Sequence, residues 1–275
     1  MKTTNQFLRT MAIVVLLCIS TPSFAQEASN RPEYVVRTTL HWNMDMEDFD
    51  MATWKAGEKE YLEKVTRKNE YIMSSSVYVH QMTPDNTELL SVRAFRTWGD
   101  IEKASAKDAE LEKAAWPDET ARKAFLKKLA SYYSHEHADE IYSTLPTAKA
   151  IPEGNTKDLI LYIRTTHLAY PEDGDNNELK ALWTESFDKL IKTNPIIKGY
   201  YPNRHAWGND GTEIVEAIFL ESLADMDKMF DSFEELSKKA WPDEAARKAR
   251  GKKYDKYFTG VHGDAVYKLI AELSK

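Results

Sequence analysis

Two matched constellations in this chain carry the residue types of acid–base chemistry: His137-x-Asp139-x-x-Tyr142 and His262-x-Asp264-x-x-Tyr267. A histidine and an aspartate at i and i+2 share one face of a β-strand, and the tyrosine falls on the other. So placed, the carboxylate can orient the imidazole as a general base. Histidine and aspartate also suit a divalent cation. The plainer reading is structural, with the aspartate capping the turn into the strand and the histidine holding a backbone carbonyl. His135 would extend the first group to a metal-like His-x-His tract, but Gly260 stands at the matching place in the second. No metal site is assigned on this basis.

Four further polar residues fall on stretches rich in β-formers. His80 and His205 form another matched pair. Arg37 and Arg164 belong to an Arg-Thr-Thr shared by residues 34–42 and 161–168. Alternation puts Val35, Arg37, Thr39 and His41 on one face, and Tyr162, Arg164, Thr166 and Leu168 on its counterpart. A central strand covered on both sides is nearly all apolar, so an Arg-Thr face predicts a polar cavity between two sheets. Arg37, Arg164, His80 and His205 are the expected ligand contacts. The competing reading is a buried ion pair of Arg37 or Arg164 with Asp139 or Asp264.

The elements that must position these residues follow from an internal repeat. Trp116-Pro117-Asp118-Glu119-Thr120-Ala121-Arg122-Lys123-Ala124 returns 125 residues later as Trp241-Pro242-Asp243-Glu244-Ala245-Ala246-Arg247-Lys248-Ala249, identical at eight of nine positions. Thr87-Glu88 returns as Thr212-Glu213 at the same spacing, and Tyr142 as Tyr267, whereas the Arg-Thr-Thr segments are 127 apart. Such self-similarity marks a tandem duplication.

Each copy reads strand, helix, strand, turn, strand, helix, helix, strand. Leu179, Leu182, Trp183, Phe187 and Leu190 recur at helical spacing, as do Met226, Met229, Phe233, Leu236 and Ala240. Pro84-Asp85-Asn86 and Gly208-Asn209-Asp210-Gly211 are turn sequences between strands. Pro202 makes its strand an edge strand, since proline cannot donate to a ladder. Trp-Pro-Asp-Glu is a helix–helix corner, with proline and acids suited to the first turn of the new helix. Short last strands are expected near 139–143 and 264–268.

This β-α-β-β-α-α-β order is the ferredoxin-like split βαβ with one extra helix. The fold class expected is α+β: two tandem ferredoxin-like repeats packed sheet to sheet as a pseudo-twofold α+β barrel. The repeats span 33–146 and 158–273, with 147–157 as linker. Edges of opposite halves then meet, bringing His80 toward His262 and Asp264, and His205 toward His137 and Asp139. On element order and the hairpin, the chain resembles the dimeric α+β barrel superfamily. That group includes antibiotic-biosynthesis monooxygenase-like, EthD-like and NIPSNAP-like proteins. The resemblance implies a range of activities from cofactor-free oxygenases, haem-handling enzymes and isomerases to plain binding proteins.

Residues 1–25 read as an export signal: Lys2 and Arg9, an apolar run from Met11 to Ile19, and Ser23-Phe24-Ala25 before the cleavage point. Leu17 is too bulky for lipoprotein processing at Cys18. That is the only cysteine, so the exported chain has no disulfide and no thiolate chemistry. The chain has a formal net charge of −7, which removal of the basic leader makes more negative. Acidity argues against nucleic acid or an anionic membrane as partner. No phosphate-binding glycine loop or nucleophile elbow is present, and no motif requires a flavin, nicotinamide or other cofactor. Three readings follow: an exported, periplasmic or extracellular small-ligand-binding or accessory protein; a cofactor-independent monooxygenase or isomerase with a His–Asp base; and a structural protein without ligand. The sequence leaves the oligomeric state open.

Overall fold

The computed structural model describes residues 31–275; the expected export signal at 1–25 lies outside them. Among the described residues there are eight strands and six α-helices. The first half holds β1 (Tyr34–Trp42), α1 (Met51–Lys64), β2 (Ser74–Met82), β3 (Glu88–Phe95), α2 (Trp98–Ala115), α3 (Glu119–Ala130) and β4 (Tyr133–Thr144). The same order recurs as β5 (Ile160–Leu168), α4 (Asn176–Ser186), β6 (Gly199–Trp207), β7 (Glu213–Leu220), α5 (Ala224–Ala240), α6 (Glu244–Asp255) and β8 (Phe258–Leu269). Among the described residues, no helix is long and apolar enough to cross a membrane.

The halves do not stack as two separate sheets. They join edge to edge into one closed antiparallel barrel, in the order β1-β3-β2-β8-β5-β7-β6-β4. Its two seams are β2–β8 and β4–β6. Each half alone would leave β2 and β4, or β6 and β8, with unpaired backbone groups, and closure satisfies them. Pro202 lies just beyond the β4 ladder, and its carbonyl accepts from Leu145.

Tyr78, Leu90, Tyr142, Leu161, Ile163, Val215, Phe219 and Tyr267 form one buried cluster from both halves, which identifies the barrel interior. The helices cover the outside. In the second half Met229, Phe187 and Ile191 pack on Ile160, Tyr162 and Ile218. In the first, Trp54 packs with Leu89 and Tyr132, and Ala104 with Ile72 and Phe95.

The last strands correct the sequence reading. Each runs for 12 residues, beginning almost as soon as the preceding helix ends. Residues 135–139 are exposed, so no apolar alternation betrayed the strand.

The repeated Trp-Pro corner uses the same indole bond and helix cap twice, although Phe125 stacks on Trp116 where Arg250 lies over Trp241. The Trp116 and Trp241 indoles donate to Glu60 (3.2 Å) and Glu185 (3.0 Å). Asp118 and Asp243 cap the next helix, each accepting from a backbone N–H at 2.7 Å. Asp118→Ala and Asp243→Ala should each cost about 1 kcal/mol, read by urea unfolding. Additive losses in the double variant are expected, since the caps sit on separate helices.

Candidate functional site

Register decides where the expected site residues go. Arg37 pairs with Val92 and Glu140, while Arg164 pairs with Glu216 and Asp264. Val92 and Ala217 occupy the same ladder place 125 residues apart, so the partner of Arg37 in the second half is Ile163, not Arg164. The Arg-Thr-Thr match is out of step by one residue, and a one-residue slip reverses every side chain. Arg37 therefore faces the interior, and Arg164 faces out under the helices. His41 and His167 are the true equivalents. Their Nδ1 atoms meet Asp85 (3.3 Å) and Asp210 (3.1 Å), and also Thr87 and Thr212. Sequence reasoning missed these pairs, although Asp85-x-Thr87 and Asp210-x-Thr212 repeat in the turns.

His80 and His205 do point into the barrel, and the edge strands meet as expected. The partners differ. His80 lies opposite Tyr267, and His205 opposite Tyr142. His262 is five residues further along β8, roughly 17 Å away, and on the outer face. The expected cross-seam groups, His80 with His262 and Asp264 and His205 with His137 and Asp139, are not assembled. The four outer residues pair locally instead. His137 Nε2 lies 3.6 Å from Asp139, and His262 Nε2 3.1 Å from Asp264. Among the described residues no group of three or more such side chains could hold a metal ion.

Inside the barrel the two seams differ. At β4–β6, the Arg37 guanidinium pairs with Glu140 and donates to Tyr142 (2.8 Å), whose hydroxyl donates to Glu213 (2.9 Å). Arg37 Nε, Asn203 Oδ1 and His205 Nε2 are buried there without a hydrogen-bond partner. At β2–β8, the matching positions hold Ile163, Ala265 and Tyr78 in place of Arg37, Glu140 and Asn203. Only the link from Tyr267 to Glu88 (3.1 Å) is kept.

The open space adjoining His137 and Asp139 lies on the outer face, not between sheets. A cavity of about 330 Å³ separates α2 from β1 and β3 in the first half. Val36, Leu40, Phe95, Ile101 and Ala104 form its apolar wall, and Thr38, Ser91, Ser105, Arg93 and Asp108 its polar one. Arg93 donates to Asp108 at 3.0 Å, and Asn69 holds the other carboxylate oxygen at 2.7 Å. Thr38 donates to Asp139 (2.6 Å), and Leu40 pairs with His137, so that His–Asp pair borders the cavity.

In the second half bulkier side chains stand at the matching positions. Met229, Phe230 and Phe233 replace Ala104, Ser105 and Asp108, and Ile218 replaces Arg93. Phe230 sits edge-on to Tyr162 at 6.0 Å, and Tyr162 donates to Asp264 (2.6 Å). Nearby, Tyr200 donates to Glu216 at 2.6 Å. Burial pushes the Glu216 carboxyl above the ordinary glutamate range, and the Tyr200 bond and Arg164 only partly oppose it. A raised acid binds its proton more tightly folded than unfolded, so its contribution to stability falls as pH rises past the unfolded value. Glu216→Gln should therefore melt above wild type, by a margin that widens as pH rises from the unfolded glutamate value into the neutral range. A constant margin across that range would contradict the assignment.

No family model matches this chain, and no curated protein matches it. Solved structures do. A protein from Fusobacterium nucleatum described as a monooxygenase is 9% identical, with TM-score 0.53 over 87% of this chain and 93% of its own. A mutant chlorite dismutase from Candidatus Nitrospira defluvii is 13% identical, with TM-score 0.52 over 90% and 97%. The same dismutase in complex with imidazole is 13% identical, with TM-score 0.52 over 87% and 92%. These neighbours belong to the dimeric α+β barrel superfamily. At such identities the likeness establishes the fold alone.

Proposed function

We propose that this chain, built on the fold of the dimeric α+β barrel proteins, is an exported small-molecule-binding protein with one ligand site between α2 and the outer face of β1 and β3. The observation that carries this reading is the asymmetry of the helix–sheet space. About 330 Å³ is open in the first half, where Ala104, Ser105 and Asp108 line α2. The larger Met229, Phe230 and Phe233 stand at the matching positions in the second, Met229 and Phe233 packed on the sheet and Phe230 against Tyr162. Spaces of this size, with an apolar wall facing convergent polar groups, suit small ligands. A tandem duplication accounts for the asymmetry: one copy carries the smaller side chains and the other the larger. Arg93 and Asp108 supply polar contacts, and Arg37, His80 and His205 contribute from the barrel interior to stability and shape.

The second reading is an oxygenase or isomerase that needs no cofactor. It is favoured by His137 and Asp139 beside the cavity. Asp139 would orient the imidazole, which takes a proton from ligand carbon. In the second half Tyr162 packs on Phe230 and donates to Asp264, so His262 and Asp264 would be relics of the same device.

Ser105→Phe installs the second half's own residue and should close the site without disturbing the fold. Native mass spectrometry of gently purified protein should show a bound small molecule that the variant lacks. Titration with the dye anilinonaphthalene sulfonate should show affinity reduced at least about tenfold. Equal dye affinity in the two proteins would sink the reading. If His137→Ala keeps the ligand and loses turnover of it, the enzymatic reading is the right one.

A further inference from the structure

The largest of the cavities described here has no part in that site. A cleft of about 570 Å³ opens at the other end of β2, among α1, the segment joining the halves, and the residues after β8. Its floor is Tyr78 and Leu269, both members of the barrel-interior cluster. Ile151, Pro152 and Ala271 extend the apolar wall, so the cleft gives solvent a way into the end of the barrel.

The matching region of the second half shows what closes such an opening. Ser76 pairs with Val92, and Tyr201 occupies the same place opposite Ala217. Tyr201 packs into the interior cluster at 5.8 Å from Phe219, and its hydroxyl accepts from the Ile151 N–H at 2.9 Å. A serine in place of that ring removes the plug. Inside the cleft, Ser274 Oγ is buried without a hydrogen-bond partner.

The rim is charged. Lys59 meets Glu272 at 3.3 Å, and Arg67 meets Glu63 at 3.5 Å, all four side chains being about half exposed. Lys275 adds an ammonium held by the carbonyls of Thr66 (3.0 Å) and Asn69 (2.5 Å), with no carboxylate within 4.0 Å among the described residues. Lys55 also meets Glu272, at 3.7 Å, so four side-chain cations face Glu63, Glu272 and the α-carboxylate of Lys275, and the rim keeps a surplus positive charge around an apolar floor.

We infer that this cleft is a second binding site, for a small amphipathic monoanion whose apolar chain or ring enters against Tyr78 and Leu269 and whose carboxylate rests at the Lys59–Arg67–Lys275 rim. Burial of apolar surface supplies the affinity, and the unbalanced rim charge selects the anion over neutral analogues. The site is distinct from the α2 cavity, with Asn69 the link between the Lys275 ammonium and Asp108, and it needs no activity of the protein.

The test uses octanoate as probe and calorimetric titration as readout, on the full exported chain. Wild type should bind one octanoate, and octan-1-ol at least about fivefold more weakly. Ser76→Tyr, which restores the second half's plug, should weaken octanoate binding at least about tenfold. Ser105→Phe, which closes the other cavity, should leave it unchanged. No saturable binding to wild type, or equal binding by Ser76→Tyr, overturns the inference. Loss in Ser105→Phe instead moves the octanoate to the α2 cavity and also overturns it. Equal affinity for octanol overturns the anionic class. None of these outcomes touches the dye result at the α2 site, so the two readings fail separately.

Discussion

Arg93→Ala should destabilise the protein by about 2–3 kcal/mol, because it strands a carboxylate whose side chain is only 11% exposed. Asp108 would keep the bond from the Asn69 side-chain amide. The instructive comparison is the set Arg93→Ile, Lys107→Ser and Asp108→Phe, which writes the second half's Ile218, Ser232 and Phe233 into the first. Ser232 is included because Asn194 donates to it at 2.8 Å, as Asn69 donates to Asp108. Replacing a buried ion pair with apolar residues that pack is often neutral or stabilising. The triple variant should regain wild-type stability in urea while losing dye binding at the α2 cavity. An Arg93→Ala variant as stable as wild type would mean the pair is too well solvated to matter. A triple variant that still binds dye would place the ligand elsewhere.

Trp54→Ala is expected to be the most damaging single change, at about 3–5 kcal/mol. Trp54 is fully buried, packs edge-on against Trp42 at 4.9 Å and donates to Tyr133 at 2.8 Å. Tyr133 in turn donates to Glu58. Burial holds the Glu58 carboxyl above its ordinary range, and the bond from Tyr133 and the nearby Arg93 only partly offset this. Truncating the indole opens a void and loosens that chain of hydrogen bonds. The measurement is guanidinium unfolding followed by far-ultraviolet circular dichroism, with Trp54→Phe as the variant that keeps ring packing and loses only the N–H. If alanine and phenylalanine cost the same, the hydrogen bond outweighs the packing.

Element order, the meeting of the edge strands and the Trp-Pro corner were all readable from spacing, because each depends on local pattern and on the 125-residue repeat. The orientation of Arg164 was not. Shared letters suggested an alignment that the ladder refutes, and strand periodicity turns one residue of error into the wrong face. The seam partners of His80 and His205 were hidden for a related reason, since register between distant strands leaves no trace in either strand alone. The α2 cavity was within reach. Met229, Phe230 and Phe233 were visible as an apolar seam, and setting Ala104, Ser105 and Asp108 beside them at the same spacing predicts missing volume.

Closing the barrel within one covalent chain has an evolutionary consequence. A barrel made from two identical subunits must accept each new residue twice, once on either side of its axis. Joined halves are released from that constraint. One seam could take on arginine, glutamate and asparagine while the other settled for isoleucine, alanine and tyrosine, and one helix could carry smaller side chains where its twin carries larger ones. Dilution cannot separate the two, so this division of labour survives at any protein concentration.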